Sequence, residues 1–375
     1  MQWLLLIFTF VIATIIATAV ITTVLKSSWL RRKRETDSVK LKKSSKNPLL
    51  SPRASYHWES EAVFNPAAFK DDEGRIHLLY RAVGGSGISQ IGHASSVDGI
   101  NFDDRSAYPI YDPGINDEKA RALFKSAHYD PIAYVSGGSS VGCEDPRVVQ
   151  IDDRIYMTYT AFEGWNSVRI ALTSILSKDF KNKKWNWKKP KMISPPGEVH
   201  KNWTLFPEKI KNKFAILHGI SPTILIDYVD DLESFRESVY IRSRSPSGGR
   251  EKCWDNRIRG GGPPPIKTPY GWLLLYHATD MKEPDKYKVG GMVLDLADPT
   301  KILFSSGEPL LTPDMPYEND GKPGVVYATG AVVKDDNLFV YYGGGDKHTC
   351  VATSPLQELL QYIMYGKIKS AFNPS

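Results

Sequence analysis

One phrase returns five times along this chain: a short apolar run, a polar turn, then a second apolar run ending in a polar or charged residue. The copies run from Asn65-Pro66-Ala67-Ala68-Phe69 to His77-Leu78-Leu79-Tyr80-Arg81, and from Glu144-Asp145-Pro146-Arg147-Val148-Val149 to Tyr156-Met157-Thr158-Tyr159-Thr160. They continue from Leu205-Phe206-Pro207-Glu208-Lys209-Ile210 to Phe214-Ala215-Ile216-Leu217-His218, and from Pro264-Pro265-Ile266 to Gly271-Trp272-Leu273-Leu274-Leu275-Tyr276-His277. The last runs from Gly330-Ala331-Val332-Val333 to Leu338-Phe339-Val340-Tyr341-Tyr342-Gly343. Their starts lie roughly 60–80 residues apart, the length of one four-stranded blade, so the expected fold is all-β, a five-bladed β-propeller. Inner strands of blades converge on one axis. Residues at matching ends of the repeats are therefore expected to meet at one site.

The rest of the chain divides by charge and hydropathy. Trp3 to Leu25 carries no charge and is mostly Leu, Ile, Val, Ala and Phe. At the helical rise it would reach about 34 Å, enough to cross a bilayer. It has no Lys or Arg before it, and Lys26, Arg31, Arg32, Lys33, Arg34, Lys40, Lys42, Lys43, Lys46 and Arg53 follow. The expectation is a transmembrane anchor over 1–25, a basic juxtamembrane linker over 26–55 and a catalytic propeller domain over 56–375. The positive-inside rule then makes this a single-pass membrane protein with its domain in the cytoplasm; a cleaved export signal is the alternative. Cys143, Cys253 and Cys350 are odd in number and lack CxxC spacing, which suits free thiols. Beyond the basic stretch acids slightly outnumber bases, so nucleic-acid binding is not indicated. A short C-terminal helix is expected from Ser354-Pro355, with Ser354 as N-cap and Pro355 at the first helical position. Aromatic residues make up 11% of the chain, as in many sugar-binding β-proteins, although strands use Tyr and Trp in any case.

Gly142-Cys143-Glu144-Asp145-Pro146-Arg147 is the densest candidate for chemistry. Two adjacent carboxylates and a guanidinium stand at the entrance to an inner strand. Neighbours in a strand point to opposite faces, so Glu144 and Asp145 are not expected to share a proton. One faces the axis and the other ties to Arg147. In a glycosidic site a carboxylic acid protonates the leaving oxygen; a salt-bridged turn is the alternative. Gly84-Gly85-Ser86-Gly87 has the composition of a phosphate loop but no helix after it, so it reads as a rim loop. The eight His residues show no metal-ligand spacing, and no metal is expected.

This motif, followed by a strand ending Tyr159-Thr160-Ala161, resembles glycoside hydrolase family 130, the β-mannoside phosphorylases and β-1,2-mannosidases. Further segments resemble the family in the same order: Asn65-Pro66-Ala67 with Tyr80-Arg81-Ala82, Leu205-Phe206-Pro207-Glu208-Lys209, Gly271 to His277, Leu294-Asp295-Leu296-Ala297-Asp298-Pro299, and Tyr341-Tyr342-Gly343-Gly344-Gly345-Asp346. The resemblance covers about residues 60–355. It implies a five-bladed propeller that cleaves β-mannosidic bonds with inversion. It also implies Asp145 as general acid, its proton passing through a sugar hydroxyl. The sugar is expected against Asn65, Arg81, Glu144, Arg147, His218 and Asp346.

In the phosphorylases of the family, inorganic phosphate is the co-substrate and nucleophile. The positions implied for it here are Lys201, Asn202, Arg257, His277 and Tyr287. Gly219 stands where phosphorylases carry an Arg, so the anion pocket is expected to be depleted but not dismantled. The first reading is accordingly an inverting β-mannoside phosphorylase that forms mannose 1-phosphate, with no other cofactor. The alternative is a β-mannosidase of the same family, with Asp255 or Glu251 activating water. A non-catalytic sugar-binding propeller is a second alternative, disfavoured because a scaffold needs no polar axis. A five-bladed glycosidase with three axial acids would need an acid where Asn65 stands.

Overall fold

Residues 40–112, 139, 141–162, 168–236, 238–243 and 248–371 are described by a computed structural model of the chain. Among them the apolar runs pair into antiparallel units, one per repeat. The first unit is Ala62–Lys70, Ile76–Val83 and Ile88–Ser96, with Asp104–Arg105 on its edge. The second is Val141–Ile151, Arg154–Phe162, Val168–Leu176 and Lys191–Met192. A short parallel pairing, Ile88 with Val141 and Ser89 with Gly142, joins the two. The third unit is Thr204–Leu205, Phe214–Gly219 and Leu225–Val229. In the fourth, Arg257–Gly261 and Ile266–Thr268 share Gly271–Asp280 as partner, followed by Glu283–Leu294 and Ile302–Ser305. The fifth is Val326–Lys334, Asn337–Gly344 and His348–Pro355.

The core lies between these units. Ala67, Leu79 and Ile91 of the first pack on Val148, Met157 and Ala171 of the second. Val149, Ile170 and Leu172 of the second meet Leu205, Phe214 and Ile216 of the third. Leu217 and Phe206 then meet Trp272, Leu274 and Tyr276 of the fourth, and Leu273, Leu275 and Val289 meet Val326, Val340 and Tyr342 of the fifth. Val332, Tyr341 and Val351 of the fifth return to Val63, Ala68 and Leu78 of the first. Every unit is thus a blade with both faces covered, and the five close into a ring. This is why the inner strands read as near-continuous apolar runs.

Ring closure reaches further towards the N-terminus than the linker expectation allowed. Lys42–Lys43 is the outer strand of the last blade, with Lys42 opposite Thr353 and Lys43 opposite Ala352. Lys43 Nζ also donates to the buried Glu318 carboxylate at 2.6 Å. The compact unit begins at Leu41, not at Tyr56.

The membrane anchor is corrected, and with it the single-pass, cytoplasm-facing placement. Among the described residues no helix is long and apolar enough to cross a membrane. Residues 1–39, where the anchor and the first part of the basic linker were expected, lie outside the described residues. The longest described helix is Leu356–Ala371, whose 16 residues include Gln357, Glu358 and Gln361. At the helical rise it spans only about 24 Å. Its Leu359, Leu360 and Ile363 join the core between the fourth and fifth blades. The helix begins after Pro355, because the last strand continues through Ser354 to Pro355. Ser354 is therefore a strand residue, not an N-cap. A second described α-helix is the short Ser177–Lys181.

Candidate active site

The inner strands share a backbone feature at the axis. Asn65, Asp145, Asn202 and Gly260 have φ of 46°, 49°, 67° and 142°. Asn, Asp and Gly are the residue types that enter this region at least cost. The pairing register shifts at three of these points, between Phe64 and Ala67, Glu144 and Arg147, and Ile258 and Gly260. A bulge adds a residue to one strand and re-aims its side chains. The expected alternation of Glu144 and Asp145 fails for this reason: both carboxylates reach the same guanidinium.

That guanidinium is Arg81, buried at the end of its strand. Its Nη1 donates to Asp145 Oδ1 at 3.2 Å and its Nη2 to Glu144 Oε1 at 3.0 Å. Nη2 also reaches Ser139 Oγ at 2.6 Å, and Nε reaches Ser89 Oγ at 2.8 Å. Asn65 Nδ2 donates to Asp145 Oδ1 at 2.8 Å. Asn65 is itself held by the fifth blade: a Cβ on Gly343 would lie 2.0 Å from its Oδ1, so only glycine fits there. Burial works against a charge on Asp145, but Arg81, Lys201, Arg147 and the Asn65 amide outweigh it and hold the carboxyl below the ordinary Asp range. Asp346, also buried, goes the other way. Burial raises it despite Lys322 and Arg81, and the charge of Asp145 adds to the rise. Two carboxyl groups in one field are thereby driven apart.

Arg147 was expected to bind sugar or to pair with an acid. Its hydrogen bonds go instead to three backbone carbonyls and an amide oxygen. Its Nε donates to Gly262 O at 2.9 Å, and its Nη1 to the backbone carbonyl of Asp145 at 2.8 Å. Its Nη2 donates to Asn202 Oδ1 at 2.8 Å and Gly261 O at 3.3 Å. It clamps the second, third and fourth blades together at the axis. Asn202, expected as a phosphate ligand, belongs to the same network. Its Oδ1 also accepts from Tyr327 Oη at 2.7 Å, and its Nδ2 donates to Arg259 O at 3.2 Å.

Beside this network lies a cleft of about 210 Å³, lined by Lys201, His218, Gly219, Ser221, Arg259 and neighbouring backbone. Lys201 Nζ donates to Glu144 Oε2 at 3.2 Å, which links the cleft to the carboxylates. His218 Nδ1 shares a 2.8 Å hydrogen bond with Ser243 Oγ. Burial lowers the His218 pKa, and nearby His200 adds to that, against the opposing pull of Asp227. A Cβ on Gly219 would meet Leu225 Cδ1 at 2.9 Å, the far end of a flexible side chain.

Arg257, expected against phosphate, stands apart from this cleft. It is exposed, opposite Thr279 on the rim, and does not line the cleft. Arg259, two residues on, takes that place, and its Nε donates to Tyr287 Oη at 3.1 Å. Tyr287 therefore stands at the cleft's edge through Arg259. His277 is buried deeper. Its Nε2 donates to Ala328 O at 2.8 Å, and its ring stacks on Tyr327 with centroids 3.8 Å apart. Burial, with Arg147 nearby, pushes the imidazole down to about 3, so it is neutral and adds no charge for an anion. Its Nδ1 has no hydrogen-bond partner among the described residues.

The two candidate bases for water do not reach the axis. Asp255 is fully buried against Arg250 Nε, at 3.0 and 2.7 Å, and Tyr276 Oη, at 2.7 Å, which makes it a structural pair. Glu251 is exposed on its turn. Sequence reasoning missed Ser89, Ser139, Arg259 and Tyr327. Ser89 had a usable signal, since Arg81 and Ser89 flank the Gly84–Gly87 loop in one hairpin. Tyr327 had none beyond lying just before the fifth repeat.

Comparison with known proteins identifies the family. The family model described as beta-1,4-mannooligosaccharide phosphorylase, glycoside hydrolase family 130, matches residues 30–365. The chain is 36% identical over 331 residues to a 1,2-beta-oligomannan phosphorylase of Thermoanaerobacter sp. strain X514, covering 86% of this chain and 99% of that one. It is 34% identical over 327 residues to a beta-1,2-mannobiose phosphorylase of the same strain, covering 84% and 96%. The solved beta-1,2-mannobiose phosphorylase of Listeria innocua, in complex with beta-1,2-mannobiose, superposes with a TM-score of 0.63 at 24% identity, covering 86% of this chain and 99% of that one. That last likeness speaks for the fold.

Proposed function

The chain belongs to glycoside hydrolase family 130 and is a β-mannoside phosphorylase, and on that premise we propose that it cleaves β-1,2-linked oligomannosides with inversion, using inorganic phosphate to form mannose 1-phosphate. The linkage follows the two relatives, both named for β-1,2-mannosides. The observation that supports phosphate over water is the cleft beside Asp145. Lys201 and Arg259 line it, and none of its described lining residues is a carboxylate that could activate water.

In this reading the phosphate sits against Lys201 and Arg259 and attacks the anomeric carbon while the glycosidic oxygen departs on the opposite face. Charge-assisted bonds hold the anion in line, and a nucleophile that arrives charged needs no separate base. Asp145 is the source of the leaving group's proton, relayed through a sugar hydroxyl. Arg81 and Asn65 fix its carboxylate at the axis. Asp346 and Asn65 face the sugar from the fifth and first blades. Glu144 and Arg147 stand behind, holding Arg81, Lys201 and the blades in place.

Product identity across a phosphate titration tests the reading. The wild type should release mannose 1-phosphate in proportion to phosphate occupancy. Free mannose alone at saturating phosphate would overturn it. Gly219→Arg should lower the KM for phosphate roughly tenfold or more, since an added charge-assisted bond contributes about 1.5–3 kcal/mol. Only the Leu225 side chain has to shift to admit the new Cβ. An unchanged KM in a folded Gly219→Arg protein would separate this position from the anion.

A further inference from the structure

The resting site holds Asp145 ionised, yet the proposed chemistry needs a proton on it when the sugar leaves. Glu144 connects the two conditions. It has no exposed surface, and its two oxygens serve different partners. Oε1 accepts from Arg81 Nη2 at 3.0 Å and from Ser139 Oγ at 2.9 Å, while Oε2 accepts from Lys201 Nζ at 3.2 Å. Arg81 Nη1 continues to Asp145 Oδ1 at 3.2 Å. A single chain of alternating charge, Lys201, Glu144, Arg81, Asp145, therefore runs from the anion cleft to the acid.

We propose that Glu144 couples the two ends, so that an anion binding at Lys201 is accompanied by uptake of one proton on the Asp145 carboxylate. The inference rests on reading the cleft as the phosphate site. An anion draws Lys201 away from Glu144. The full charge of Glu144 then falls on Arg81, and Arg81 loosens its hold on Asp145. Lys201 and Arg81, which balanced two buried carboxylates, must now share with Arg259 the balancing of the incoming anion. Protonating one carboxylate is the least costly relief in a site of low dielectric. The proton comes from solvent, and an O–H bond on Asp145 is the only covalent bond formed.

Titratable or charged groups of every blade lie around Asp145: Arg81 from the first, Glu144 and Arg147 from the second, Lys201 from the third, the neutral His277 from the fourth, and Tyr327 and Asp346 from the fifth. Lys322 lies beyond Asp346, at 4.0 Å from its Oδ2. Lys201 is the member of this set that also lines the cleft. Binding of the nucleophile is then what arms the acid. An enzyme without phosphate keeps Asp145 ionised and does not spend the mannoside on water. Glu144 is a positioning residue in this scheme.

Sulfate is the probe, because it carries the charge of the phosphate dianion and does not titrate between about pH 5 and about pH 7.5. Its affinity and the protons taken up per sulfate can be measured calorimetrically in buffers of different ionisation heat. For the wild type, one proton taken up per sulfate weakens binding about tenfold for each pH unit across the coupled range. Asp145→Asn should bind sulfate with no pH dependence and no proton uptake. Glu144→Gln should bind sulfate at least as tightly as the wild type and lose the slope, and Glu144→Asp should restore part of it. A slope that survives in Asp145→Asn and disappears in His218→Gln or Asp346→Asn would move the proton elsewhere and overturn the proposal. Sulfate binding with a flat profile in the wild type would sink the coupling alone. Failure of the wild type to bind either sulfate or phosphate would sink the phosphate reading with it. The Asp145→Asn comparison decides the matter even if Glu144→Gln fails to fold.

Discussion

Asp145→Asn should lower turnover of a β-1,2-mannosidic disaccharide by about 10²–10⁴-fold with the protein still folded, the range over which a general acid contributes. The backbone of Asp145 lies at φ 49°, which Asn accepts as readily as Asp. The amide oxygen of the replacement can still accept from Asn65 Nδ2 and Arg81 Nη1, the two donors that hold the native carboxylate. What is lost is the proton that can be released to a departing oxygen. The deficit should shrink with an aryl mannoside, whose leaving group needs little protonation. A melting temperature close to that of the wild type separates a chemical loss from a folding loss. Near-normal turnover of the disaccharide would remove Asp145 from the acid role.

Arg147→Ala should act on stability, costing at least about 3 kcal/mol, because hydrogen bonds from a buried charge contribute about 1.5–3 kcal/mol each and are not fully additive. Four acceptors lose a donor together, Gly261 O, Gly262 O, Asp145 O and Asn202 Oδ1, the last keeping Tyr327 Oη. They belong to three blades, and water entering the gap satisfies only some of them. Denaturant unfolding should show the loss directly. In protein that remains folded, the KM for the mannoside should change less than kcat, since Arg147 presents none of these donors to the axis. A stable variant with a raised KM and an unchanged kcat would return Arg147 to the sugar-binding role expected from sequence.

The two variants mark how far the sequence could be read. The five repeats are visible because each blade is covered on both faces, which forces apolar runs to recur at blade intervals. The residue types at the axis are visible as well. Asn65, Asp145 and Asn202 are Asn or Asp where the inner strands take a left-handed φ, and few other side chains tolerate that backbone. Alternation along a strand was the wrong guide within this same stretch. It separated Glu144 from Asp145, and the bulge between Glu144 and Arg147 brings both to Arg81. Arg257 and Arg259 show the same limit at the cleft. They are two residues apart on one strand, and the register shift after Ile258 decides which of them lines it. Local hydropathy expected an anchor over residues 1–25, which lie outside the described residues, and among the described residues no helix is long and apolar enough to cross a membrane.

The sequence by itself determined the number of blades and the family, because burial periodicity and an ordered set of motifs are written residue by residue. The tertiary structure alone decided that Arg147 clamps blades, that Asp255 is a structural pair with Arg250, and that Glu144 joins the cleft cation to Arg81. Those roles depend on which donor meets which acceptor across blades, and partners distant in sequence are brought together only when the ring closes.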